Sequence, residues 1–551
     1  MQPVASSPVT PQSQSKGGSI GPSWAKWEFA ALLIPLLTFV TLATHNIHAP
    51  GLYYDEMFVI SPGFGVGAYK TWFGVPILIS PYVGAYKSWV YPPIFALFGV
   101  SAWSIRLPAI LVSCGTLVLG YALVRRVLTP RWALVFSVAC ATHPSFIFLT
   151  KVDWGPEVLM LFFKALCLLL CFRWLDGTKK TCWSVIVLWV LGFWDKFNFI
   201  WFVIALTTAT CVIYRDVILQ KLRSVPPRIL AGAGAGLIAV GLLALWIIFP
   251  LLEKPQASAL SDRLWHFWSL YEYTCTGLAP AAMWLKSVPP LPSWTGWSVI
   301  VLTIAFLVLA LVGYAESKGA INQIDRRTLR FCLWCLLMFV IILLEIALTP
   351  QAGGAHHTIM LFPFDLLACF SAAYLFAHSI SGPKRALILL LQGSVLCLWL
   401  ASNLKGLEMQ FEAFKDIAGF HGRFSPRIES LAKFLNKKGG SADAIYCVEW
   451  GLGNQLRALC KPAIAQKVRD DWQTFQAWSA DRPDAQAIAA RIFPPQEKDL
   501  YVSFSKSDPV FPLAQSHFEE MSASAGKPTP PASDLPPDLA ATYQVFQSYS
   551  R

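Results

Sequence analysis

The sequence predicts an all-α polytopic membrane bundle of about 11 transmembrane helices, with interfacial helices in its first outer loop and a C-terminal α/β extracytoplasmic domain. Apolar runs of bilayer-spanning length, about 20 residues, recur from residue 28 to residue 403. The 551 residues are 55% hydrophobic and 14% charged, include 23 tryptophans and have a mean hydropathy of +0.51, which argues against a large soluble enzyme. From residue 404 hydropathy falls and charge density rises, as a water-exposed domain requires.

Residues 1–22 are rich in Ser, Pro, Gln and Gly with Lys16 as their one charge, so 1–27 is expected to be a disordered cytoplasmic tail. The first apolar run lacks a small-residue cleavage site after it and is expected to stay as a span. Spans are expected at 28–45, 107–124, 132–150, 156–175, 183–195, 197–214, 229–250, 296–314, 331–349, 358–377 and 386–403, which makes 28–403 the membrane domain and 404–551 the extracytoplasmic one. Alternate loops carry Arg125, Arg126 and Arg131, then Arg173, Lys179 and Lys180, then Arg215, Lys221, Arg223 and Arg228, then Lys318, Arg326, Arg327 and Arg330, then Lys384 and Arg385. The positive-inside rule makes those loops cytoplasmic and leaves 46–106, 151–155, 251–295 and 350–357 outside with the C-terminal domain.

Residues 404–551 hold 17 Lys+Arg against 17 Asp+Glu, so the whole +12 lies upstream. There it falls in short loops, where topology explains it; nucleic-acid binding is not expected. The first outer loop alternates aromatics (Tyr69, Trp72, Phe73, Tyr82, Tyr86, Trp89, Tyr91) with Gly and Pro, the pattern of helices lying in the membrane interface. In the C-terminal domain Asp443 to Trp450 reads as a strand, and Cys447 and Cys460 are placed to form a disulfide in an oxidising compartment. That domain shows no Gly-rich phosphate loop, no zinc-binding HExxH and no nucleophile elbow.

The chemistry gathers in the outer loops. Gly51-Leu52-Tyr53-Tyr54-Asp55-Glu56 puts two adjacent carboxylates just beyond the first span, where an ionisable group beside hydrocarbon marks a functional site. Lys87 and Arg106, Lys151-Val152-Asp153-Trp154-Gly155-Pro156-Glu157, and Gly353-Gly354-Ala355-His356-His357 share that side. A carboxylate can take the proton of an attacking hydroxyl while Lys, Arg or His holds a departing phosphate. Acids beside cations therefore suit group transfer from a phosphate-linked donor. Asp195-Lys196 reads as a structural turn between two short spans, and Glu345 as a residue partnered inside the bundle.

The order of these features resembles the C-type (GT-C) glycosyltransferases, and most closely the bacterial branch of family 39, related to protein O-mannosyltransferases and lipid A aminoarabinose transferases. The features are a long first span, an acid pair in the first outer loop, aromatic-Pro-Pro at Tyr91-Pro92-Pro93, Arg106-Leu107-Pro108 opening the second span, and Lys151 to Pro156 opening the fourth. The resemblance is strongest over 28–215, returns at 350–366 and does not reach 404–551. It implies an integral-membrane glycosyltransferase of the bacterial inner membrane that inverts a sugar as it moves it from a polyprenyl-phosphate donor to a lipid, glycan or protein hydroxyl. Asp55 becomes the catalytic acid with Glu56 as its second, and the second-loop acid is Asp153 or Glu157. Lys87, Arg106, Lys151, His356 and His357 become substrate-binding. No cofactor is expected; a divalent metal would suit the oxygen ligands but is not favoured. The rival readings are a transporter or flippase for a lipid-linked sugar, and a non-catalytic membrane scaffold. Neither an internal repeat nor midplane broken helices favour the transporter.

Overall fold

The computed structural model describes residues 24–548 except 65–66, 155, 179–180, 224, most of 229–258, 293–294, 317–322, 350–351, 381–382, 384, 495–497, 528–532 and 534. The expected tail at 1–27 and the expected span at 229–250 lie largely outside these residues. Each of the other expected spans coincides with a helix or a helix pair.

Among the described residues seven helices are long and apolar enough to cross a membrane, or up to nine if each sharply bent pair is one span. Six of the seven are α1 (Lys26–Thr44), α4 (Ala102–Val127), α7 (Glu157–Leu175), α13 (Thr295–Glu316), α14 (Gln323–Leu348) and α17 (Arg385–Ala413), and the seventh runs over Ala355–Ser379. The expected span 132–150 is a pair, α5 (Pro130–Ala141) and α6 (Pro144–Val152), bent by 61° where Pro144 cannot continue the backbone ladder. The apolar α8 (Thr181–Asp195) is too short to span alone, and α9 (Phe199–Ile213) turns 91° into the basic α10 (Arg215–Arg223). Two shorter helices, α11 (Leu260–Thr276) and α12 (Leu278–Trp284), precede α13. The short α15 (Ala355–Thr358) leads into α16 (Phe364–Ser379), the most enclosed helix of the bundle, gripped by α13 and α14.

Lipid supplies no hydrophobic drive between helices, so packing must hold them. Phe39, Phe146, Phe148, Trp334 and Phe370 interlock there in one buried cluster. The carboxylate at the start of α1 is paired. Glu28 of α1 accepts from Tyr121 at 2.7 Å and from Arg125, joining α1 to α4 at the end of the bundle opposite the acid pair.

The first loop is more than interfacial helix. Its helices are α2 (Tyr54–Phe58) and α3 (Tyr86–Phe98), but between them β1 (Lys70–Trp72), β2 (Val75–Ser80) and β3 (Val83–Gly84) form a three-stranded antiparallel sheet. The alternation of aromatics with Gly and Pro that suggested interfacial helix there serves this sheet as well.

The C-terminal domain is α/β. Its four-stranded sheet, ordered β5-β4-β6-β7, is built from β4 (Ile445–Cys447), β5 (Val468–Arg469), β6 (Leu500–Phe504) and β7 (Tyr543–Gln547); β4 pairs in parallel with β5 and β6, and β7 returns antiparallel. One face carries Tyr446, Phe475, Trp478, Tyr501, Phe518 and Phe546. The other packs Ile445, Val502, Phe504 and Val545 against α18 (Ile428–Lys438) and α19 (Gly453–Leu459). That second core continues without a break into Leu52, Met57, Val59 and Ile60 of the first loop and Tyr91 and Ile105 of α3 and α4. Full burial of a side chain of that size stabilises by about 1.5–3 kcal/mol, so the domain and the loop hold each other. Cys447 and Cys460 both lie in this core as free thiols; the expected disulfide is not formed.

At the seam the two backbones nearly touch. Gly51 N donates to Phe424 O at 2.6 Å, and a Cβ on Gly51 would come within 2.1 Å of Ser425 O. Backbone cannot retreat as a flexible side chain can. Gly51→Ala is expected to cost about 1–3 kcal/mol, read as a lower thermal unfolding midpoint and faster proteolysis between 413 and 428 in detergent.

Candidate active site

The acid pair sits on α2, one turn of helix whose two carboxylates are treated differently. Glu56 is 3% exposed, accepts Tyr53 N at 3.3 Å at the helix start, and takes a two-pronged ion pair from Arg106 at 2.7 and 2.8 Å. Arg106 also donates to the carbonyls of Ile47, Pro50 and Gly51 at 2.5, 2.8 and 3.3 Å. These bonds use all five guanidinium N–H groups. The assignment of Arg106 to the substrate is therefore corrected: it ties the loop after α1 to α2, because nothing of it is left to donate.

Asp55 has no ion pair among the described residues. Its Oδ2 accepts Trp154 Nε1 at 3.1 Å, and the Tyr53 hydroxyl also donates to it. Burial pushes its carboxyl above the usual range, against the lowering effect of those hydrogen bonds and of the charges on Lys196 and Arg423. A carboxylate that is desolvated yet free of a tight cation is a stronger base than one in water.

The other predicted acids are bound to cations. Asp153 ends α6 in the left-handed region (φ 47°), pairs with Lys87, and accepts Val158 N at 2.9 Å at the start of α7. Glu157, fully buried, pairs with Lys196 at 2.5 Å. Asp195 lies within electrostatic reach of Lys87 and Lys196. Two ammonium groups and three carboxylates thus share one buried pocket, which leaves Asp153 and Glu157 as holders of cations and poorly free to act as bases. Lys151 likewise sits out of reach of a ligand: it is fully buried and donates to the carbonyls of His45 and Asn46 at 2.9 and 2.8 Å. Its assignment to the substrate is corrected, since it closes the end of α1.

His356 and His357, on α15, lie across Trp154 from the acid. Their rings are 3.9 Å apart; His356 lies 4.6 Å from the Trp154 ring, and His357 meets Trp201 edge-on at 5.7 Å. His357 Nδ1 accepts from Gly353 N at 3.2 Å and Gly354 N at 3.3 Å. A ring nitrogen that accepts carries no proton, so the neutral ring bears its proton on Nε2, ready to donate. Trp154 is thus the partition of the site, with Asp55 at its nitrogen and His356 against its ring.

Lys196, read from sequence as part of a turn, acts by its charge on Asp55, His356 and His357. Its backbone is fixed by the first loop, where Phe197 N donates to Tyr82 O at 3.1 Å and Val83 bridges to Lys196. The close approach there admits only glycine at 84, because a Cβ would lie 2.2 Å from Trp194 O. The available signal was its place at the end of a short apolar run on the same side as the acids. Glu345, expected to be partnered, has both carboxylate oxygens buried without a hydrogen bond. Among the described residues no three His, Cys, Asp or Glu side chains are grouped to hold a metal ion.

Arg106→Ala is expected to destabilise by about 3–5 kcal/mol, because it leaves Glu56 buried without its cation. Thermal unfolding in detergent measures this, and Arg106→Ala combined with Glu56→Gln is expected to recover part of the loss.

Residues 84–246 match the family model described as dolichyl-phosphate-mannose-protein mannosyltransferase, which bears out the resemblance to the C-type membrane glycosyltransferases. No curated protein matches the chain in sequence. Among solved structures, ArnT from Cupriavidus metallidurans bound to undecaprenyl phosphate is 11% identical with a TM-score of 0.49, over 95% of this chain and 98% of that one. The Archaeoglobus fulgidus oligosaccharyltransferase tethered to an acceptor peptide is 11% identical with a TM-score of 0.49, over 89% of this chain and 72% of that one.

Proposed function

We propose that this multi-pass membrane protein, whose residues 84–246 match the mannosyltransferase family, transfers a sugar from a polyprenyl-phosphate donor to an acceptor hydroxyl with inversion. The observation that carries the reading is Asp55: the carboxylate of α2 left without an ion pair, across Trp154 from two histidines and beside Lys196. The family description names a polyprenyl-linked sugar donor, which supports the donor class.

In the proposed reaction Asp55 takes the proton of the acceptor hydroxyl as its oxygen attacks the anomeric carbon. The bond from that carbon to the carrier phosphate breaks, and its electron pair goes to the phosphate oxygen. Lys196 and the Nε2–H of His357 offset the charge that grows there; only interactions that strengthen as that charge develops lower the barrier. Glu157 pairs with Lys196, and the charge of Asp195 acts on the same ammonium, which holds it in place. No step passes through a metal. The arginine-rich loops at the far end of the bundle support placing this site on the outer face of the bacterial inner membrane.

Asp55→Asn in proteoliposomes is expected to lower transfer by about 10²–10⁴, the usual share of a general base, with lipid-donor binding kept. Near-normal turnover in that variant would overturn the assignment. Release of free polyprenyl phosphate by the native protein separates an enzyme from a flippase, and activity is expected to persist in excess chelator.

The pH profile gives a second check. The base works ionised, so the rate falls as pH drops through its pKa, and burial raises that pKa. The acid limb of kcat/KM is expected to lie above the usual carboxylate value of about 4. A limb at or below that value would exclude Asp55 as the group titrating.

A further inference from the structure

The C-terminal domain has no motif of its own for chemistry, yet it touches the stretch that carries the base at every turn. Phe424 accepts Gly51 N and lies 4.6 Å from the Tyr53 ring. Trp450 packs on both tyrosines, at 5.9 Å from Tyr53 and 4.9 Å from Tyr54. Asp470, just after β5, accepts the Tyr54 hydroxyl at 3.2 Å. Arg423 lies over the rings of Phe424 and Trp450 at 4.9 and 5.9 Å. Among the described residues this half-buried guanidinium forms no ion pair and donates no hydrogen bond. A cation held against two aromatic faces, and given no anion of its own, is free to act on a carboxylate beyond them. Its charge acts on Asp55.

We propose that the C-terminal domain is a wall of the catalytic site, with Arg423 as a positioning residue for Asp55 and the Tyr54–Asp470 hydrogen bond as the tie that holds α2. This rests on Asp55 being the base. Glu56 is already matched by Arg106, so Arg423 has no second acid on α2 to serve. The other groups that face Asp55 are Tyr53 and Tyr54 from its own stretch, Tyr82 from the first-loop sheet, Trp154 from the α6–α7 turn, and Lys196 after α8, with the two histidines beyond Trp154. Among the cations that act on Asp55, Lys196 is bound to Glu157 and belongs to the bundle, whereas Arg423 belongs to the other domain. The docked domain therefore contributes a charge to the surroundings of Asp55.

The test is the pH profile of transfer by the full-length protein in proteoliposomes. Arg423→Gln is expected to move the acid limb of kcat/KM upward by about half to one pH unit, so that the rate near pH 6 falls by about 3- to 10-fold while the alkaline plateau changes by less than about 2-fold. Arg423→Lys is expected to restore the limb, and neither variant is expected to shift the thermal midpoint. Tyr54→Phe and Asp470→Asn are expected to lower kcat with donor KM unchanged, and the double variant to be no slower than the slower single one, as coupled residues require. A limb unmoved in Arg423→Gln, or moved alike in Arg423→Lys, overturns the proposal. Failure of this inference is distinct from failure of the function: an active Asp55→Asn sinks the function, whereas an inactive Asp55→Asn with an unmoved Arg423→Gln limb sinks the inference alone.

Discussion

A charged group next to hydrocarbon is costly unless another charge or a set of carbonyls meets it, and the Arg106–Glu56 pair is where this chain first satisfies that constraint. The pair does more than neutralise itself. By drawing in the carbonyls of Ile47, Pro50 and Gly51, Arg106 folds the exit of α1 back onto the start of α4, and α2 is left projecting from the fold it creates. Lys151 repeats the device one layer away on the carbonyls of His45 and Asn46. Two cations that the sequence offers as ligands for a phosphate are in this way used to shape the platform on which the acid stands.

The same constraint sorts the carboxylates. Asp153 and Glu157 each lie against an ammonium, and Asp195 shares those ammonium groups. A carboxylate held against an ammonium has its oxygens engaged by that cation, so it is poorly placed to receive the proton of an incoming hydroxyl. Asp55 is held by a tryptophan and a tyrosine instead, donors that orient it without removing its basicity. The adjacency of Asp55 and Glu56 thus has a division of labour behind it: one acid is anchored so that the other can be left loose.

The spans were legible because their signal is local: an apolar run of membrane length is helical wherever it falls in the chain. The acid pair was legible for a related reason, since two charges beside such a run contradict their surroundings. What the sequence did not carry were the partners. Arg106 meets carbonyls more than 50 residues upstream, and Lys196 reaches Glu157 across 39 positions, distances over which spacing says nothing. The small sheet β1 to β3 was hidden in a stretch whose aromatics served the interfacial reading equally well. Cys447 and Cys460 look like a pair in sequence, but the core around them accepts two thiols as small apolar fillers.

The site is closed from above by a domain that the family resemblance does not reach. A separate module tethered by a linker would carry its own core and meet the bundle through a polar surface. Here Leu52, Met57 and Val59 are as much part of the sheet's core as Val502 and Phe504, so neither side is complete when parted. The short α2 cannot be stable as an isolated turn of helix. It exists because Arg106 and Trp154 hold it from the bundle while Phe424, Trp450 and Asp470 hold it from the domain. The geometry of the base is therefore a property of the interface between the two domains.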